Sequence, residues 1–137
     1  MKRTTASETS EFAFRLDSHS GVPVYRQLID QVQGAIALGA LRPGDQLPTV
    51  RQVAVELEIN PNTVLRAYRE MEIRGLLDTQ QGTGTFIAEK QQTTSSKTER
   101  ERRLAQLAGE LVSRAGAQGF TVNDLMKELG RLQNESK

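Results

Sequence analysis

The residues with the clearest chemical potential lie in the segment NPNTVLRAYR, residues 60–69. At helical spacing, its polar side chains fall on one side of a helix or at the start of that helix. Arg can pair with guanine and Asn with adenine, so this pattern suits hydrogen bonding to base edges in the DNA major groove. Helices that contact only water carry similar polar faces. The surrounding elements must therefore show whether this helix binds DNA or is simply exposed to solvent. The candidate residues are Asn60, Asn62, Thr63, Arg66 and Arg69.

The elements before this segment have the order of a helix-turn-helix. Thr49 opens the sequence TVRQ, a capping-box pattern that predicts the start of a short helix. A brief turn follows, and Asn60 and Pro61 are then typical of a second helix N-terminus. Two capped helices this close together are the spacing of a helix-turn-helix. Arg51, near the start of the first helix of this pair, is a candidate contact to the DNA backbone.

Two further elements complete the predicted N-terminal domain. A helix from about Val22 to Leu38, with Pro23 at its first position, precedes the pair. The helix that carries the candidate residues runs to about Arg74. The segment LLDTQQGTGTFIAE then predicts a two-stranded β-hairpin, because its residues alternate on either side of a glycine-rich tip.

The tip of this hairpin is a second candidate DNA contact. Glycine has no side chain to clash, so Gly82, Thr83 and Gly84 can approach a DNA backbone or a minor groove closely. The same glycines could serve only the geometry of the turn. A nucleotide-binding loop does not fit, because the third glycine and the following helix of that motif are missing.

The C-terminal part of the chain predicts two amphipathic helices, one from about Thr98 to Ala115 and one capped by Thr121. A two-helix hairpin cannot bury two apolar faces alone. These faces pack either on the N-terminal domain or on a second copy of the chain. Binding to a palindromic DNA site needs a symmetric dimer, which favours the second copy. The candidate dimerisation residues are Leu104, Leu107, Leu111, Val112, Leu125, Met126 and Leu129.

Composition narrows the function classes. Lys and Arg number 18 against 17 Asp and Glu, so the net charge of +1 indicates no partner by itself. With no cysteine and one histidine, His19, the sequence predicts no metal site, no cofactor and no catalytic triad, and an enzyme is the least favoured class. No apolar run is long enough for a secretory signal or a membrane span, so a cytoplasmic location is expected.

The expected fold class is mostly α with a small β-hairpin: a winged helix-turn-helix followed by a C-terminal two-helix dimerisation hairpin. We expect a flexible N-terminal segment over residues 1–13 and a DNA-binding domain over residues 14–88. Residues 89–98 are a linker or the start of the next helix, and residues 99–133 form the helical dimerisation region.

Residues 23–88 resemble the GntR family of bacterial regulators. The resemblance rests on RPGDQLPTVR, then NPNTVLRAY, then GLL and GTGTF, in that order, over about half of the chain. The NPNT version and the preceding FRLD resemble the YtrA subgroup, in which two C-terminal helices dimerise in place of a large effector domain. The resemblance implies a repressor role and DNA contacts from Arg51, Asn60, Asn62, Thr63, Arg66 and the tip 82–84. It identifies no small-molecule effector for this chain.

Two function classes therefore remain open. The first is a homodimeric transcription regulator on an operator in double-stranded DNA. The second is a protein-interaction module, in which a winged helix and a helical hairpin dock onto another protein. Retention of a DNA fragment at low salt distinguishes the two classes.

Overall fold

The computed structural model describes residues 12–89 and 96–135, which belong to two compact units, Met1–Gln91 and Gln92–Lys137. Each unit is described below by itself. In the first unit the elements are α1 (Val24–Leu38), β1 (Gln46–Leu47), α2 (Val50–Leu57), α3 (Pro61–Ile73), β2 (Leu77–Gln80) and β3 (Gly84–Ile87). In the second unit they are α4 (Lys97–Ala117) and α5 (Val122–Glu135).

Helix α1 begins two residues later than the sequence indicated. Pro23 has ψ 146°, so it is extended and serves as the N-cap rather than as the first helical residue. Gly39 ends the helix in the left-handed conformation at φ 82°, where glycine has no steric penalty. The buried side of α1 supplies Leu28, Ile29, Val32 and Ala35 to the core.

The helix-turn-helix forms as its local signals predicted. The Thr49 hydroxyl accepts the Gln52 amide at 3.1 Å, and the Gln52 side chain accepts the Thr49 amide at 2.8 Å, which is the predicted capping box. Helix α2 ends at Glu58, whose φ of 58° is the one positive value among the described non-glycine residues. Asn60 then caps α3, so a short turn joins the two helices.

Tyr68 ties the second helix of this pair to the turn before the first. Its side chain is buried in the core, and its hydroxyl donates to the carbonyl oxygen of Pro48 at 2.6 Å. Burial raises the pKa of the Tyr68 phenol, because the charged phenolate is disfavoured away from water. The native state therefore keeps this proton at a pH where the unfolded chain releases it.

Replacing Tyr68 with phenylalanine is expected to lower the free energy of unfolding at pH 7 by about 1 kcal/mol, since the Pro48 carbonyl loses its donor. Above about pH 10 the unfolded parent releases the Tyr68 proton and the native state keeps it, so the free energy of unfolding of the parent falls. The variant has no such proton, so the difference in stability between the two proteins should be smaller above about pH 10 than at pH 7. Urea unfolding at pH 7 and above pH 10 measures both effects. Parallel pH profiles for the two proteins would contradict the prediction.

The wing is a three-stranded antiparallel sheet in the order β1-β3-β2. The predicted two-stranded hairpin is therefore incomplete, because Gln46–Leu47 adds a short strand to β3. Two residues are too few to show an alternating pattern in the sequence. This strand fixes one edge of the wing against the chain that leads into α2.

The lead-in segment before α1 is held by two glutamine side chains. Gln27 accepts from the Asp17 amide at 2.8 Å and donates to the Asp17 carbonyl at 3.0 Å, and Gln31 makes the same pair of bonds with Arg15. Phe12, in the segment expected to be flexible, packs edge-on to Phe14 with ring centroids 5.0 Å apart and lies against the core. Residues 1–11 lie outside the described part of the chain.

The second unit consists of the two predicted helices. Helix α4 starts at Lys97, capped by the Ser96 side chain, and continues two residues beyond the predicted end. Of the stretch predicted as a linker or helix start, residues 90–95 lie outside the described residues. The capping box of Thr121 and Asp124 is present before α5, with side-chain bonds of 2.9 and 3.1 Å.

The apolar side chains of this second unit are mostly exposed. Leu107 is 64% exposed and Met126 is 65% exposed. On α4, only Ala115 is buried, and no described residue of α5 is. Six of the seven predicted dimerisation residues are exposed, namely Leu104, Leu107, Leu111, Val112, Met126 and Leu129, and Leu125 is partly exposed.

Candidate nucleic-acid interface

Helix α3 presents two faces, and one of them gathers polar candidate residues, as the sequence predicted. One face carries Val64, Tyr68 and Met71, all buried in the core. The other carries Asn62, Arg66 and Arg69, all exposed. The exposed face therefore holds two guanidinium groups and an amide on a helix that the core keeps rigid.

The first turn of α3 holds the remaining polar candidates. The Oδ1 atom of Asn60 accepts the Asn62 amide at 2.8 Å, so the cap occupies this oxygen. The Asn60 side-chain amide nitrogen is the atom that can still donate to a ligand. Thr63, one turn before Arg66, is half-buried, and the side chain of Asn62 projects at the start of the helix.

Arg66 lies against an aromatic ring on another helix. Its guanidinium carbon is 3.8 Å from the ring centroid of Tyr25, in the first turn of α1. Both residues line a shallow open cleft with Val24 and the polar residues at the start of α3. In the sequence, the helical spacing of Tyr25 and Leu28 indicates only an apolar stripe, since a contact between two distant helices leaves no local pattern.

Charge changes along α3. The two arginines of the exposed face, at the sixth and ninth of the 13 positions of α3, precede Glu70 and Glu72. Glu70 pairs with Arg74 at 3.1 Å, and Glu72 accepts a hydrogen bond from Thr79 of the wing. A polyanion is therefore attracted to the part of α3 before Glu70 more than to its last turn.

Arg51 and the wing tip are the other predicted contacts. Arg51 lies exposed in the first turn of α2, next to the Thr49 cap. Gly82 has φ 78° and Gly84 has φ 139°, both in the region that favours glycine. The turn itself therefore requires these glycines, and Thr83 between them is exposed at the tip.

Gln46 is a wing residue that sequence reasoning missed. Its side-chain amide donates to the carbonyl oxygen of Thr83 at 3.2 Å, across 37 positions of the chain. A Cβ atom at Gly84 would collide with this amide, so Gly84 also makes room for Gln46. The tip of the wing is thus fixed from β1 as well as by its own turn.

A metal-binding cluster and a membrane-spanning helix are both absent from residues 12–89 and 96–135. No group of three or more His, Asp or Glu side chains in this part of the chain could hold a metal ion. Among the helices that the structure describes, none is long and apolar enough to cross a membrane.

The family model for bacterial regulatory proteins of the gntR family matches residues 24–87, the helix-turn-helix and wing just described. An uncharacterized HTH-type regulator of Bacillus subtilis, YhcF, is 39% identical over 119 residues, 85% of each chain. This chain belongs to the GntR family. Members of the family are transcriptional regulators with a DNA-binding domain, and they are not enzymes. As a member, this chain is a transcriptional regulator of the same kind.

Two further relatives are YtrA proteins, in agreement with the resemblance to that subgroup. The HTH-type transcriptional repressor YtrA of Bacillus subtilis is 42% identical over 80 residues, which is 58% of this chain and 62% of that protein. The solved structure of YtrA from Sulfolobus acidocaldarius is 29% identical, has a TM-score of 0.52, and covers 71% of this chain and 97% of its own. A Listeria monocytogenes structure described as a transcriptional antiterminator reaches a TM-score of 0.66 at 26% identity, covering 91% and 92%.

Proposed function

We propose that this GntR-family regulator is a sequence-specific repressor that binds a pseudo-palindromic DNA operator as a homodimer. The observation that carries this proposal is the exposed face of α3, where Asn62, Arg66 and Arg69 stand on a rigidly packed helix. A helix with such a face fits the major groove, in which Arg and Asn distinguish guanine and adenine. Because its partner is operator DNA, we also propose a cytoplasmic location.

Different residues have different proposed roles. Asn62, Arg66 and Arg69 contact base edges, and Asn60 and Thr63 contact DNA at the start of α3. Arg51 contacts a backbone phosphate. The tip 82–84 approaches the flanking backbone or minor groove, and the bond from Gln46 to Thr83 supports its shape. Neutralised phosphates supply affinity, and the base contacts supply the sequence preference.

The proposed dimer rests on the second unit. Its helices leave several large apolar side chains exposed, with Leu107 and Met126 each about two-thirds exposed. Apolar surface of this extent on a helical hairpin is typical of an interface between subunits. Two linked α3 helices can then read the two half-sites of a symmetric operator. The repressor role is supported by the repressor YtrA of Bacillus subtilis.

A gel-shift experiment with fragments of the source genome tests the proposal. We expect one or a few fragments to be retained, and the affinity to fall steeply with salt because bound phosphates release counterions. For 6–10 phosphate contacts the loss is about 10³–10⁵ in affinity between 50 and 200 mM salt. If no fragment is retained at the lowest salt, the proposal is wrong and a winged helix that docks onto protein is favoured.

A further inference from the structure

The contact between Arg66 and Tyr25 joins two helices that are far apart in the sequence. The guanidinium carbon lies 3.8 Å from the ring centroid, well within the range of about 6 Å for a cation–π interaction. Arg66 itself is exposed. Within the part of the chain that the structure describes, no carboxylate pairs with Arg66, and its guanidinium lies over the ring instead.

Both ends of this contact are anchored. Tyr25 is partly buried and packs against the core, and Leu28, one turn later on α1, is fully buried. On α3, Val64 and Ala67 flank Arg66 and are also fully buried. The ring is therefore a fixed platform, and the arginine extends onto it from a fixed backbone.

A fixed platform changes what binding requires of a long side chain. A free arginine samples many rotamers and loses this freedom when it contacts a base. An arginine already stacked on a ring has lost part of that freedom before DNA arrives, which strengthens binding through preorganisation. Arg is well suited to this arrangement, because its planar group can stack on a ring while its edge donates two parallel hydrogen bonds.

The surroundings of the stack are suited to a DNA contact. The cleft is lined by Val24, Tyr25, Asn60, Asn62, Thr63 and Arg66. Arg66 is the one charged side chain in this set, and the other polar members are the candidates at the start of α3. A guanidinium held here stays beside these groups, with no acidic lining residue to compete with DNA for its donors.

We infer that Tyr25 is a positioning residue for DNA recognition, whose ring holds the Arg66 guanidinium ready for the operator. The inference rests on the proposed function, in which Arg66 contacts a base. Tyr25 acts through Arg66, and the face of its ring, not its hydroxyl, performs the role. The specificity of the α3 face therefore depends on a residue of α1.

The test compares three substitutions at Tyr25 in the full chain. Tyr25→Phe keeps the ring, whereas Tyr25→Leu and Tyr25→Met keep apolar volume for the core without a ring. We expect both ring-less variants to lose about two- to fivefold in operator affinity, as an exposed cation–π contact implies, and Tyr25→Phe to match the parent. Fluorescence anisotropy with operator and scrambled duplexes measures this, and affinity for the scrambled duplex should stay unchanged.

A double-mutant cycle tests whether Tyr25 acts through Arg66. In an Arg66→Ala background, Tyr25→Leu should cause no further loss of operator affinity, because the ring has no guanidinium to hold.

The stacking of Arg66 on Tyr25 can also be measured in the protein without DNA. NMR should show the Arg66 side-chain protons shifted by the ring current in the parent and in Tyr25→Phe, and the shift should disappear in Tyr25→Leu and Tyr25→Met.

Four results would overturn the inference. A loss in Tyr25→Phe as large as in Tyr25→Leu would assign the role to the hydroxyl. Losses that add in the double variant would make Tyr25 independent of Arg66. If Arg66→Ala weakens operator binding and the ring-less variants do not, this inference fails alone. If Arg66→Ala leaves operator binding unchanged, the proposed base contact of Arg66 is wrong and the inference fails with it.

Discussion

Arg66→Ala is expected to weaken operator binding about 5- to 150-fold and to relax the preference at the base pair that Arg66 contacts. The substitution removes a guanidinium from the exposed face of α3 and leaves the core intact, because Arg66 is exposed and its buried neighbours on α3 are unchanged. Anisotropy titrations with the operator and with duplexes altered at single positions measure both effects. Thermal unfolding should change little.

Arg74→Ala is the matched control for this prediction. It removes the same charge from the end of the same helix, where Arg74 pairs with Glu70 at 3.1 Å. A surface ion pair of this kind contributes little to stability, and the positive charge that remains on the face of α3 is unaltered. We expect a change of about twofold or less in operator affinity. Equal losses in the two variants would mean that Arg66 contributes only general charge, contrary to its proposed base contact.

The parts of the fold that the sequence predicted best are those set by neighbouring residues. The capping boxes at Thr49 and Thr121 and the Asn60 cap each involve residues at most three positions apart. Helical periodicity likewise placed the polar side chains of α3 on one side of the helix. Local hydrogen bonds and amphipathic spacing leave a direct pattern in the sequence, so these elements and the exposure of Arg66 could be predicted from it.

The features that sequence reasoning missed are contacts between distant residues. Strand β1 has two residues and forms because β3 pairs with it. Gln46 reaches Thr83 across 37 positions, and Arg66 meets Tyr25 across two helices. Tyr25 fits an apolar stripe equally well with or without a guanidinium on its ring. Such contacts depend on how the elements pack, which a local pattern does not record.

The predicted start of α1 was wrong by two residues for a different reason. Pro23 suits both the N-cap and the first helical position, since it lacks an amide hydrogen that either place would leave unused. Its ψ of 146° is not helical, so Pro23 is the N-cap. The lead-in has a similar ambiguity, because Phe12 stands next to a polar tract but packs beside Phe14.

The largest effect is expected from Leu107→Glu in the second unit. Leu107 is 64% exposed within its own unit, and the proposed dimer buries it against a second copy. An unpaired carboxylate in that interface is strongly unfavourable, so the variant should run in size-exclusion chromatography with light scattering as one chain of 15.2 kDa instead of two. Removing residues 99–137 should have the same effect.

Operator affinity should fall with the loss of the dimer. Two linked α3 helices gain about 10²–10⁴ in affinity over one, because the second half-site is bound at a high effective concentration. We therefore expect Leu107→Glu to lose at least about 100-fold on the full operator but little on a single half-site. Ser113→Glu is the matched control, since at 3.6 residues per turn Ser113 lies on the side of α4 opposite its apolar stripe.

Leu107→Glu and Ser113→Glu also show whether the apolar side of α4 packs on a second copy or within one chain. If the apolar side of α4 instead covered the chain's own N-terminal unit, Leu107→Glu would lower the unfolding temperature and leave the mass of the parent unchanged. A parent that is already a single chain in solution, yet binds the full operator tightly, would contradict the proposed dimer. A dimeric parent, a monomeric Leu107→Glu and a dimeric Ser113→Glu would together assign the apolar face of α4 to a second copy of this chain.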